Sequence, residues 1–249
     1  MGIVRFEDGN LKLKNNDLCY FDIETTGLSG IDDKLVCASL NIKGRVETGK
    51  EEDILYLAEK AKENGIIVTY KGETFRGGGF DFPFLRSYCI KHGLEWPFAG
   101  ARHLDLYPLV KQRLNTDAYP EVPSKRSLNA GNVKEIAKAN NLSYSTKKET
   151  YKKIIDLYDE KEEIDWVGYD EGLSPDTFND LQSVYQQFFD PDITEEYIDG
   201  GDVPKLYKEG KYDEIYKHCE YDVTRLQALT EAILPTLPPY YIDRAMIGL

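Results

Sequence analysis

Two carboxylates two positions apart, Asp22 and Glu24, close the apolar run 18–23 (LCYFDI) and lead into Thr25-Thr26-Gly27-Leu28. On an extended strand, residues i and i+2 share a face, so these side chains stand side by side, roughly 7 Å apart along the chain. Two acids on one face at the end of a buried strand repel each other and lose hydration, a cost that a bound cation relieves. Hard oxygen ligands favour Mg²⁺ or Mn²⁺. A bare D-x-E also describes two solvated strand-end acids. Joined to T-T-G-L after a hydrophobic strand, the pattern is far more specific.

A second set is Gly79-Phe80-Asp81-Phe82-Pro83-Phe84-Leu85. Asp81 stands just before Pro83, at the expected first turn of a helix, so it fits two roles: an N-cap or a ligand. The glycines 77–79 beside it either let backbone approach a ligand or simply form a turn. The third set is His218-Cys219-Glu220-Tyr221-Asp222-Val223 within a long helical pattern. His218 and Asp222 are four apart and share one helix face, as a surface pair also would. Tyr216 and Tyr221 are rotated away from it.

FDIETTGL, GFDFPFL and HCEYDV, in this order, resemble the three motifs of the DEDD superfamily of 3′–5′ exonucleases, which have a ribonuclease-H-like fold. The tail DVPKLYKEGKYDEIYKHCEYDVTRL and the segment HLDLYPLV are most similar to the stand-alone branch related to the exonuclease domain of B-family DNA polymerases. The resemblance spans about 18–229 and leaves 143–200 unmatched. It implies that Asp22, Glu24, Asp81 and Asp222 hold two divalent cations, Mg²⁺ or Mn²⁺, with Asp22 bridging them. It also implies a fifth residue that helps deprotonate the attacking water. In the family that residue is a tyrosine four before the last aspartate or a histidine five before it. This chain has His218 at the tyrosine spacing and Lys217 at the histidine position. An imidazole, titrating ordinarily near ~6.5, suits the role better near neutrality than a phenol near ~10.

Further implications concern the 3′-terminal nucleotide. Thr25 and Thr26 would supply hydrogen bonds, and Leu28 would wedge against the terminal base. Phe80 and Phe84 serve either as stacking surfaces or as core. Relatives commonly lead into the second-motif aspartate with an asparagine-glycine turn. This chain has YKGETFRGGG instead, which makes Arg76 a candidate phosphate contact.

These residues need a frame. A hairpin is expected at 3–6 and 11–14, a buried strand at 18–23, and neighbouring antiparallel strands at 35–42 and around Val46. A helix over 51–64, a strand at 66–70, a helix over 80–92, a strand at 103–106 and helices over 107–114 and 128–141 follow. This order predicts an α/β fold, a mixed sheet flanked by helices. The whole chain, 1–249, reads as one exonuclease-like domain carrying a helical, acidic insertion or lid at 143–200. The stripes Tyr151, Ile154, Ile155, Tyr158 and Phe178, Leu181, Val184, Tyr185, Phe188 would be its packing faces. Helices over 203–208 and 211–234 complete the chain, ended by prolines.

At 249 residues and 41% hydrophobic, the chain can build a substantial core. Four scattered cysteines contain no C-x-x-C pair and read as reduced, buried thiols. No apolar run approaches the ~20 residues of a membrane span, and the start MGIVRFEDGN lacks signal-peptide architecture, which reads as a cytoplasmic protein. Net charge is −13, yet 143–200 alone holds sixteen acids and five lysines, while 102–138 holds seven basic residues against four acids. The acidity is local and does not exclude a phosphate-bearing substrate. The expected activity is metal-dependent removal of nucleotides from single-stranded 3′ ends, with DNA favoured over RNA. The alternatives are a 3′–5′ exoribonuclease, a catalytically silent module that binds nucleic-acid ends, and an endonuclease acting on hybrids.

Overall fold

In the computed structural model, residues 4–7, 10–13, 17–73, 79–118, 128, 130–161, 164–165, 176–177, 180–189, 200–238, 241–242 and 246–248 are described. The chain opens with a separate antiparallel ribbon, β1 (Val4–Glu7) and β2 (Asn10–Leu13), where a hairpin is expected. Then come β3 (Asp17–Thr25), β4 (Leu35–Ile42), β5 (Arg45–Lys50), α1 (Ile54–Asn64) and β6 (Gly65–Thr69). They are followed by α2 (Asp81–His92), β7 (Arg102–Asp105), α3 (Leu106–Arg113) and β8 (Asp117–Ala118). Next are α4 (Ala130–Ala139), α5 (Lys147–Lys161), β9 (Asp176–Thr177) and α6 (Leu181–Phe188). The last elements are α7 (Val203–Lys208), α8 (Tyr212–Ile233) and β10 (Met246–Gly248).

Among the described residues, six strands form the main sheet, in the order β10-β7-β6-β3-β4-β5. β3, β6 and β7 run parallel, and β4, β5 and β10 each run antiparallel to a neighbour. This is the expected mixed sheet flanked by helices. β3 lies inside it and is apolar on both faces over most of its length, as a doubly covered strand must be.

The two faces of β3 go to different helices. Cys19, Phe21 and Ile23 pack with Ile54, Leu57, Ala58 and Ala61 of α1 and with Phe82, Phe84 and Leu85 of α2. Tyr20, on the opposite face, packs with Val223, Leu226 and Leu229 of α8. Each such fully buried side chain contributes about 1.5–3 kcal/mol of transfer free energy. Alternation carries Asp22 and Glu24 onto the α8 face. The sequence therefore decides which helix the two acids meet.

The chain divides into two compact units, Met1–Leu114 with Asn179–Leu249, and Asn115–Phe178. The first holds the main sheet. In the second, Val133, Ile136 and Ala137 of α4 share a small core with Leu128 and Ile154 of α5, and β8 pairs with β9. The acidic segment expected at 143–200 overlaps this unit over 143–178. Residues 179–200 belong with the first unit, where Leu181 and Val184 of α6 join the α8 core. Of the second stripe, Phe188 is exposed and Phe178 lies outside the described residues. No helix among the described residues is long and apolar enough to cross a membrane.

Candidate active site

The ladder between β3 and β4 sets Asp22 opposite Ser39 and Glu24 opposite Cys37, and its register shifts between Glu24 and Thr25. Such an irregularity ends regular pairing and turns the following backbone away. α8 crosses this end of the strand. Its Cys219 thiol donates to the Asp22 backbone oxygen at 3.7 Å and to Oδ2 at 3.5 Å. One turn of helix spacing then brings His218 and Asp222 to the same place. His218 Nε2 lies 3.2 Å from Glu24 Oε1 and 3.8 Å from Asp222 Oδ2, and Arg225 Nη1 lies 2.9 Å from Asp222 Oδ1. His218 is buried, whereas Lys217 is exposed and sits over the Tyr221 ring. The helix presents histidine, not lysine, to the acids.

Asp81 arrives from the other side of the sheet. It is the first residue of α2, and Phe80 is the N-cap, so the capping role open from sequence is not the one Asp81 plays. The Phe80 and Phe82 amides donate to the Lys71 and Gly72 carbonyls at 2.6 and 3.1 Å. They tie the start of α2 to the segment leaving β6. Asp105, the N-cap of α3, binds that segment in turn. Its carboxylate accepts from the Lys71, Glu73 and Tyr107 amides at 2.9, 3.1 and 3.0 Å. Phe82 anchors the helix from beneath, stacked on Phe21 at 6.4 Å.

Burial comes first among the forces on these acids. It pushes Asp22, Glu24 and Asp81 well above the usual carboxylate range. The charges of Asp81 and Asp222 push Asp22 further, those of Asp22 and Asp222 push Glu24, and those of Asp105 and Asp222 push Asp81. Burial also raises Asp105, to about 6, against the pull of its three amide donors. Asp81 Oδ2 is buried without a hydrogen-bond partner among the described residues. Mutual repulsion and an unsatisfied carboxylate oxygen are what a divalent cation corrects, so the donor set fits one. Donor atoms of Glu24, His218 and Asp222 lie within 4.8 Å of one another, as do those of Asp22, Glu24 and Cys219.

The other expected contacts divide. The loop after β3 is closed by hydrogen bonds between Thr26 and Lys34 and between Ser29 and Asp33. A side chain at Gly27 would meet the Asp33 carboxylate. This loop holds Leu28 outward, 87% exposed. Thr25 is buried, its hydroxyl donating to the Gly27 carbonyl at 2.6 Å, and Thr26 Oγ1 accepts from the Lys34 amide. Both threonine hydroxyls are thus engaged in shaping the loop. Phe80 is partly buried against the core. Phe84 is 2% exposed and packed in that core, so its stacking role is corrected to a packing one. Arg76 lies outside the described residues.

Two residues at the site, Arg225 and Cys219, were not singled out as ligands or partners from sequence. Arg225 carries a weak signal, its i+3 spacing from Asp222. Cys219 has none, because its contact with Asp22 depends on how α8 crosses β3.

Residues 19–129 match the family model described as RNase_H_2, RNase_H superfamily. Among solved structures, the chain is similar to the family B DNA polymerase of the hyperthermophilic archaeon Pyrobaculum calidifontis, with 14% identity and a TM-score of 0.53. The alignment covers 92% of this chain and 26% of the polymerase chain, so this protein spans about a quarter of that structure's length. No curated protein matches it in sequence. The chain has a ribonuclease-H-like fold, with acidic residues from β3, α2 and α8 acting on one another at the end of β3.

Proposed function

We propose that the protein is a metal-dependent 3′–5′ exonuclease acting on single-stranded nucleic acid, with DNA favoured over RNA. The observation that carries this reading is the set of carboxylates gathered from three separate elements, Asp22 and Glu24 of β3, Asp81 of α2 and Asp222 of α8. Burial and mutual repulsion make three of them costly to ionise without a cation. These four residues would hold two divalent cations, Mg²⁺ or Mn²⁺, which supply a nucleophilic water and charge stabilisation for an in-line attack on the terminal phosphodiester.

The chain's own residues do the rest. His218, with Nε2 beside Glu24 and Asp222, takes the proton from the attacking water. Arg225 holds Asp222 in place through its guanidinium. Leu28, projecting from a loop fastened by its own hydrogen bonds, meets the terminal base. The preference for DNA rests on the polymerase-like motifs alone. Nothing in the carboxylate set distinguishes a 2′-hydroxyl from a hydrogen.

The test is degradation of matched 5′-labelled DNA and RNA oligonucleotides with Mg²⁺, with Mn²⁺ and with chelator. A metal-dependent ladder shortening from the 3′ end is expected, absent for Asp22→Ala and slowed by about 10²–10⁴ for His218→Ala. Faster loss of RNA would make the protein an exoribonuclease. Cleavage of a circular substrate would make it an endonuclease. Tight binding of ends without cleavage would make it a silent end-binding module.

A further inference from the structure

We infer that Cys219 makes the Asp22–Glu24 site a trap for thiophilic divalent cations, Cd²⁺ or Zn²⁺, which it would hold through sulfur as well as oxygen. The Cys219 thiol lies 3.5 Å from Asp22 Oδ2, and donor atoms of Asp22, Glu24 and Cys219 fall within 4.8 Å of one another. That span suits three ligands of one cation, since thiolate–zinc bonds are about 2.3 Å long and carboxylate–zinc bonds about 2.0–2.2 Å. Cys219 is wholly buried, so its sulfur faces the carboxylates and not solvent. A second thiol stands behind it. Cys37 lies opposite Glu24 in the strand register and packs in the same buried cluster as Cys219.

An independent observation points to a ligand here. Asp81 is 4% exposed, its Oδ2 is buried without a hydrogen-bond partner among the described residues, and its charge acts on Asp22 more than any other neighbour's does. The Asp81 carboxylate, on the first residue of α2, thus adds a buried and unpartnered oxygen whose charge is felt at Asp22.

The consequence is chemical selectivity in the wrong direction for a nuclease. Mg²⁺ is hard and gains nothing from sulfur, so it would use the carboxylates alone. A soft cation gains a thiolate: the S–H bond breaks, a sulfur–metal bond forms, and the proton leaves to solvent. The soft cation then competes for Asp22 with the productive one. This inference rests on the proposed function for its meaning as inhibition, but the binding itself does not.

Full-length protein stripped with chelator would be titrated with Cd²⁺ while the ultraviolet thiolate-to-cadmium charge-transfer absorption is followed. Wild type should show a saturable band at about one cation per chain. Cys219→Ser, with its melting temperature checked, should lose the band and bind at least about tenfold more weakly, and Asp22→Asn should also bind more weakly. Cadmium NMR of the wild type reads the same question without a substitution, because sulfur and oxygen donors give separate shift ranges. No band in wild type, an oxygen-only shift, or an unchanged band in Cys219→Ser would overturn the trap. A band in a protein that cleaves nothing would sink the exonuclease reading and leave the trap standing. Cleavage without a band would do the reverse.

Discussion

Asp22 illustrates how a functional residue opposes the fold that carries it. Its folded-state carboxyl titrates above its ordinary value near 3.8, through burial first and the charges of Asp81 and Asp222 second. The folded chain therefore keeps a proton that the unfolded chain has already lost. Stability of the metal-free protein should fall as pH rises from that value through the folded-state pKa, and the deficit is complete above it. Asp22→Asn removes the charge and keeps the shape. It should stabilise the metal-free protein at pH 8 by at least about 1 kcal/mol, with the gain vanishing toward pH 4. The same variant should lose the rise in melting temperature that Mn²⁺ gives the wild type. Thermal unfolding with chelator and with Mn²⁺ at both pH values checks this, and a less stable Asp22→Asn at pH 8 would count against the repulsion argument. At this scale, side-chain periodicity made much of the site legible. Asp22 and Glu24 follow from the strand repeat, and His218 and Asp222 from the helix repeat. Asp81 did not, because capping and ligation demand the same residue at the same place. Cys219 read only as a buried thiol, since nothing in its neighbours in sequence points to Asp22.

At the scale of elements, Asp105 joins three of them. It accepts from the Tyr107 amide of α3 and from the Lys71 and Glu73 amides beyond β6, and Lys71 and Gly72 carry the first turn of α2. The position of Asp81 thus depends on a carboxylate on another element. Asp105→Ala should cost about 2–4 kcal/mol through three unsatisfied or weakened amides. It should also raise the metal concentration needed for half-maximal activity. Asp105→Asn keeps an acceptor for Lys71 and Tyr107, which share Oδ1, and sets an amide donor against Glu73. It should fall between wild type and Asp105→Ala in both measurements. Equal metal requirements in all three proteins would show that the strap supports the fold without positioning Asp81. The elements themselves were mostly readable: β3 from its apolar run, α1 from its stripe, α8 from its length and terminal prolines. β10 was not, because three residues, Met246–Gly248, carry no period and gain strand form only by pairing with β7. The second unit starts at Asn115, ahead of the shift in composition. Composition changes near 143, but α4 already packs on α5, and packing rather than charge sets the unit's edge.

For the whole molecule the decisive quantity is charge. The chain carries −13, of which −11 falls within 143–200, and the proposed substrate is a polyanion. Proteins that bind nucleic acid through basic surfaces release counterions and lose affinity steeply as salt rises. An acidic chain that grips its substrate through cation-bridged phosphates has the opposite long-range term. At about 10 mM salt the screening length is roughly 30 Å, so the net charge repels an approaching strand. At about 100 mM it is roughly 10 Å, and most of that repulsion is gone. At fixed free Mg²⁺, kcat/KM for a short single-stranded oligonucleotide should therefore rise roughly threefold or more between these two conditions. Neutralising the acids of 143–200 to their amides should raise the low-salt value and flatten the salt dependence, leaving kcat at saturating substrate unchanged. A steep fall in kcat/KM with salt in the wild type would mean that a local basic surface, not the net charge, governs encounter. The 102–138 stretch, with its surplus of lysine and arginine, would then be the place to look for it.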